Sequence, residues 1–88
     1  MNIVNVEIRL ELVNIALQVL EQEGNRSLHL KLSPYASEGD AVGERHGAMD
    51  LRTVFAPSET LLEASEYIGG LGYAGWAAEL AQVARSRG

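Results

Sequence analysis

An α+β fold is expected of this chain, in the order helix, strand, strand, helix, helix, and three observations lead there. Residues 5–23 form the longest run without Gly or Pro and carry apolar residues at helical spacing. Two shorter stretches, 25–33 and 49–56, have the content of strands, and two further helical patterns joined by Gly69-Gly70-Leu71-Gly72 close the chain. The β-hairpin is expected to pack on a central N-terminal helix whose other side meets a C-terminal helical hairpin. At 88 residues, positions 1–88 are read as a single compact domain, because a chain of this size buries only about 60–65 % of the surface its unfolded form exposes.

The N-terminal run supports two conformations. As a helix, Val6, Leu10, Val13, Leu17 and Leu20 share one stripe, and Ile8, Leu12, Ile15 and Val19 share a second on the far side. As a strand, Val4, Val6, Ile8, Leu10 and Leu12 alternate with Asn5, Glu7, Arg9 and Glu11. The single helix is preferred because one element then accounts for every apolar position, whereas a strand leading into a helix calls for a short loop, with only Asn14 to supply it. The alternative order, β-α-β-β-α-α, would give a three-stranded sheet. Gly24 followed by Asn25 supplies a left-handed helix stop.

Next, Leu28, Leu30 and Leu32 alternate with His29 and Lys31 and end at Pro34, which reads as a strand with one apolar face. Residues 35–49 contain Gly39, Gly43, Gly47 and the acids Glu38, Asp40 and Glu44, with no apolar period. They read as a long loop, and ordered loops of that length tend to be functional. Residues 49–56 read as the second strand, terminated by Pro57. A two-stranded hairpin is marginal in water and needs the long helix across it.

Ser58 is the expected N-cap of the following helix, with Glu59 in its first turn. Leu61, Ala64, Ile68 and Leu71 form its apolar stripe, and Glu59, Glu63 and Glu66 an acidic ridge. The last helix places Trp76, Leu80 and Val83 on one line beside Ala77, Ala81 and Ala84; Trp76 is read as core.

Composition narrows the function. The absence of Cys excludes disulfides and thiolate metal sites. No apolar run reaches the roughly 20 residues of a membrane span, and the N-terminus lacks the order of a signal peptide, so a cytoplasmic location without membrane contact is expected. The net charge of −5, from 12 acidic and 7 basic residues, disfavours phosphate-driven contact, so no direct nucleic-acid binding is expected. An acidic surface points instead to a larger partner protein with a basic surface, such as the nucleic-acid-binding surface of that partner.

Catalytic and cofactor patterns are weak. Gly70-Leu71-Gly72-Tyr73-Ala74-Gly75 matches G-x-G-x-x-G, but a dinucleotide site needs a strand before it and an acid about 20 residues after it. Here a helix precedes, so a helix-helix joint is expected. His46 with Glu44 and Asp50 has no specific metal-ligand spacing, no serine lies in a nucleophile elbow, and carboxylate pairs such as Glu7 and Glu11 lack a cleft. Neither catalysis nor a cofactor or metal is expected. The expected function is a non-catalytic protein-interaction module, a small acidic regulator, adaptor or inhibitor. Glu38, Asp40, Glu44, Glu59, Glu63 and Glu66 are its candidate partner-binding residues. A structural homodimer or assembly subunit is the alternative, and a small-molecule or metal-binding domain centred on His46 stands behind it.

Overall fold

A strand near the amino terminus and one just past the middle of the chain pair into a ribbon, and helices cover one of its faces. The computed structural model describes residues 4–40, 45–46, 49–50 and 53–86, without the side chains of 37–40, 45–46, 49–50 and 86. The order is β1 (Asn5–Arg9), α1 (Leu10–Gln22), α2 (Arg26–Asp40), β2 (Arg45–His46), β3 (Met49–Asp50), β4 (Thr53–Pro57), α3 (Ser58–Gly70) and α4 (Ala74–Ser86). β1 pairs antiparallel with β4, with Asn5 opposite Pro57, Glu7 opposite Phe55 and Arg9 opposite Thr53. Among the described residues, the two-residue strands β2 and β3 pair with each other. Period two sends Val6, Ile8, Val54 and Ala56 inward, where all four are at most 4 % exposed. They join Leu10, Val13, Leu20, Leu28, Leu32, Leu61, Ile68 and Leu80 in one core.

The class is α+β, and the elements differ in instructive ways. Residues 5–9 are a strand, so the N-terminal run is not one helix. No loop separates strand from helix, because Arg9 serves as both the last strand residue and the N-cap of α1, with φ −63° and ψ 132°. One extended residue completes the turn that the sequence reading assigned to a loop near Asn14. The expected second stripe is broken accordingly: Ile8 belongs to the strand and Leu12 and Ile15 are half-buried, while Val19 alone of its α1 members is buried.

Residues 26–40, expected as a strand and the start of a loop, form α2. The alternating leucines resolve into the i, i+4 pair Leu28 and Leu32, buried at 6 % and 0 %, while Leu30 is 64 % exposed. Asn25 starts the helix: its Oδ1 accepts the Leu28 N–H at 3.2 Å. Pro34 lies inside α2 and does not end it. Of residues 49–56, the expected strand divides between β3 and β4, and β4 pairs with β1 instead of with residues 25–33. Ser58 is the first helical residue, and Pro57 takes the N-cap position without a side-chain cap bond. Proline's fixed φ suits that place, where the observed value is −61°. Trp76 is 40 % exposed, because the side of α4 that meets the core is Ala77, Leu80 and Ala84.

The two halves are copies of one unit. Adding 48 to a position in β1-α1-α2 gives its counterpart in β4-α3-α4, with Asn5 at Thr53, Leu10 at Ser58 and Arg26 at Ala74. The same shift superposes Val6 on Val54, Glu11 on Glu59, Ala16 on Ala64, Gly24 on Gly72, Leu32 on Leu80 and Ala36 on Ala84. Backbone angles repeat as well: Arg9 matches Pro57, and Glu23 (φ −86°, ψ −4°) matches Leu71 (φ −88°, ψ −4°). The strand register obeys the same rule, since Glu7 faces its own counterpart Phe55. A pseudo-two-fold axis therefore passes through that pair, and each half supplies one strand and two helices.

Both helix joints turn on a left-handed glycine, Gly24 at φ +74° and Gly72 at φ +106°. Gly69 has a different role, since a Cβ there would lie 3.2 Å from the Ala77 Cβ, so its absence lets α3 and α4 approach closely. Gly75 is helical with open space around it. The glycines of this joint should separate in urea titrations. Gly72→Ala is expected to lower stability by about 1–2 kcal/mol through the backbone alone, whereas Gly75→Ala should raise it by about 0.4–1 kcal/mol.

Candidate functional site

Among the described residues the helices pack on one side of the ribbon, and the side chains of the other side point outward. Asn5, Glu7, Arg9 and Phe55 are exposed, and Thr53 and Pro57 are half-buried. Phe55, 60 % exposed at the centre, is a large apolar ring offered to solvent beside a carboxylate. Around it the Thr53 hydroxyl donates to Glu7 Oε2 at 2.8 Å, and Arg9 Nη2 donates to Glu11 Oε2 at 2.6 Å. Both contacts are exposed, so they hold the side chains at little energetic cost to release. The face thus carries hydrogen-bond donors and acceptors at its ends and an aromatic ring at its middle. Its strands of five residues span about 17 Å at 3.4 Å per residue.

The acidic ridge lies on α3. Glu59, Glu63 and Glu66 are all exposed, and steps of four and three residues place them along about 10 Å of one helix face. Lys31 of α2 approaches Glu63, Nζ to Oε2 at 3.4 Å, with both side chains about half exposed. Between the helices an open depression is lined by Asn25, Ser27, Leu28, Glu63, Glu66 and Tyr67. Of the other candidate residues, Glu38 and Asp40 fall by backbone position in the last turn of α2, with side chains outside the described residues. Glu44 lies outside the described residues altogether. His46 and Asp50 sit by backbone in β2 and β3.

The glycine motif forms the joint between α3 and α4, as the sequence reading expects. Leu71, Tyr73 and Trp76 are each about two-fifths exposed around it. Ser65 is the one buried polar side chain among the described residues, and its hydroxyl donates to the Ala77 carbonyl at 2.7 Å, tying α3 to α4. Among the described residues no three His, Cys, Asp or Glu side chains gather as metal ligands, and no helix is long and apolar enough to cross a membrane.

The ribbon face was not among the sequence-derived candidates. Its one sequence signal is the alternation over residues 4–12; the partner strand shows none, because Val54, Phe55 and Ala56 are a continuous apolar run whose alternation appears only in burial. Comparison with protein-family models, curated proteins and solved structures yields no match.

The exposed ion pair is expected to matter little for folding. Glu63→Gln should change stability by less than about 0.5 kcal/mol in denaturant titration, whereas Ser65→Ala should cost about 1 kcal/mol through the lost buried hydrogen bond.

Proposed function

We propose that the protein is a small non-catalytic regulator that docks on a larger macromolecule, and that duplex DNA is the partner the ribbon fits. The single observation carrying this reading is the outer face of an antiparallel two-stranded ribbon lying on a pseudo-two-fold axis, with Asn5, Glu7, Arg9 and Phe55 exposed on it. The B-DNA major groove, about 12 Å wide, admits a two-stranded ribbon, and the two-fold symmetry of a reading head corresponds to that of the duplex. One strand residue advances about 3.4 Å, close to one base-pair step. Side chains pointing outward at every second position thus meet base edges about two pairs apart.

This departs from the expectation drawn from net charge. The value of −5 describes the whole surface, whereas the ribbon face carries one acid, Glu7, and one base, Arg9, among neutral groups. Many acids lie on helices, at Glu11, Glu21, Glu59, Glu63, Glu66 and Glu79. The cost of the overall charge is weaker nonspecific binding, because few phosphates are neutralised and few counterions released.

A second reading keeps the acidic ridge as the working surface. Glu59, Glu63 and Glu66 would then dock on a basic protein surface, including the channel of a nucleic-acid-binding machine, with steering that weakens in salt. The three exposed carboxylates in one row favour it.

Fluorescence anisotropy against a pool of mixed-sequence duplexes at low salt separates the two. The DNA reading predicts saturable binding that weakens about five-fold or more in Arg9→Ala and is retained or strengthened when Glu59, Glu63 and Glu66 are reversed to Lys. Absence of duplex binding, with binding to an arginine-rich polypeptide that those reversals abolish, would favour the ridge.

A further inference from the structure

The two halves of the ribbon share a backbone but not a surface. Under the pseudo-two-fold axis Asn5 corresponds to Thr53, Glu7 to Phe55 and Arg9 to Pro57, so all three outward positions differ. Inward, the same operation keeps Val6 on Val54 and sets Ile8 against Ala56, all four buried. The core is thus conserved in character between the halves while the outward side chains are not. A homodimer of one such unit would present identical ends and would read an inverted repeat. Here one chain supplies both strands, and its ends are chemically distinct: Arg9 beside Thr53 at one, Asn5 beside Pro57 at the other.

Resting on the DNA reading above, we infer that a single copy of this chain reads a non-palindromic duplex sequence, each end of the ribbon specifying a different base pair. Arg9 presents the fork that matches guanine O6 and N7, with the Thr53 hydroxyl alongside to donate or accept. Asn5 presents the amide that pairs with adenine N6 and N7. Pro57 has neither donor nor charge in its side chain and leaves Asn5 alone at that end. At the centre Phe55 offers apolar contact to a thymine methyl, and the Glu7 carboxylate accepts from cytosine N4. In the free protein Arg9 and Glu7 are held by Glu11 and Thr53. Those exposed contacts keep the side chains ordered and are exchanged for base edges on binding.

Selection from a randomised duplex library by the full-length protein, followed by sequencing and native mass spectrometry of the selected complex, tests this. The expected result is an enriched sequence without dyad symmetry, bound by one chain per duplex. Arg9→Ala should flatten the preference at one end only and Asn5→Ala at the other, each by about five- to hundred-fold. Thr53→Asn combined with Pro57→Arg gives both ends the same pair of side chains, and it should turn the outer positions of the enriched sequence into an inverted repeat. Arg9 already occupies the backbone equivalent of Pro57 at nearly the same φ and ψ, so this variant is expected to keep its fold, which its thermal melt verifies. An inverted repeat selected by the wild-type chain, or two chains per duplex, overturns the inference while leaving the DNA reading intact. Failure to enrich any sequence, with no duplex binding in anisotropy, overturns both.

Discussion

The pairing of β1 with β4 is the constraint on which the rest depends. The two strands pair across 48 positions of sequence at their centre, and a two-stranded ribbon is marginal by itself. Its stability comes from the inner face, where Val6, Ile8, Val54 and Ala56 are sealed against the helices. Burying each of the larger three is worth about 1.5–3 kcal/mol as an upper figure. That seal requires helices from both halves, because each half alone would leave one strand unpaired and its apolar side wet. Residues of both halves accordingly meet in one core cluster.

The repeat also explains where the two halves diverge. The second half packs its helices through small residues: Gly69 stands against Ala77, and Ser65 bonds across to the Ala77 carbonyl. The corresponding positions in the first half are the larger Glu21, His29 and Leu17. An open depression lies at that α1–α2 joint, lined by Leu20, Glu21, Gly24, Asn25, Arg26, His29 and Leu30. The difference reaches the fourth helix, where Ala77 and Ala84 meet the core and Trp76 is displaced to the margin at 40 % exposure. Its counterpart Leu28 is buried at 6 %.

Much of this was legible in the sequence, and the remainder failed for identifiable reasons. Helix α3, its acidic ridge and its apolar residues Leu61, Ala64 and Ile68 follow from spacing alone, as do α4 and the glycine stops; Leu71, the fourth member expected of that stripe, lies past the helix end at 40 % exposure. The strand β1 was visible as alternation but lost to a helix reading that covered more residues. What decided the matter was a single extended residue at Arg9, which no composition rule marks. Helix α2 was hidden because leucines at every second position look like a strand until tertiary contact selects Leu28 and Leu32 and leaves Leu30 in water. The ribbon face could have been found by comparing the chain with itself at a shift of 48, but few identities survive that shift, so the repeat lives in the backbone more than in the letters.

A two-stranded ribbon of this kind separates two demands that most surfaces must reconcile. Inward residues answer only to packing, so Val6 and Val54 stay alike, while outward residues bear no load and diverge. The most direct measurement of the central claim is a set of nuclear Overhauser contacts on labelled protein, repeated on a mixture of labelled and unlabelled chains. Cross-strand contacts linking residues 5–9 with 53–57, in the register that sets Glu7 opposite Phe55 and within one chain, are the predicted result. Unbroken helical contacts from Val6 through Gln22, or strand contacts found only between chains, would contradict it.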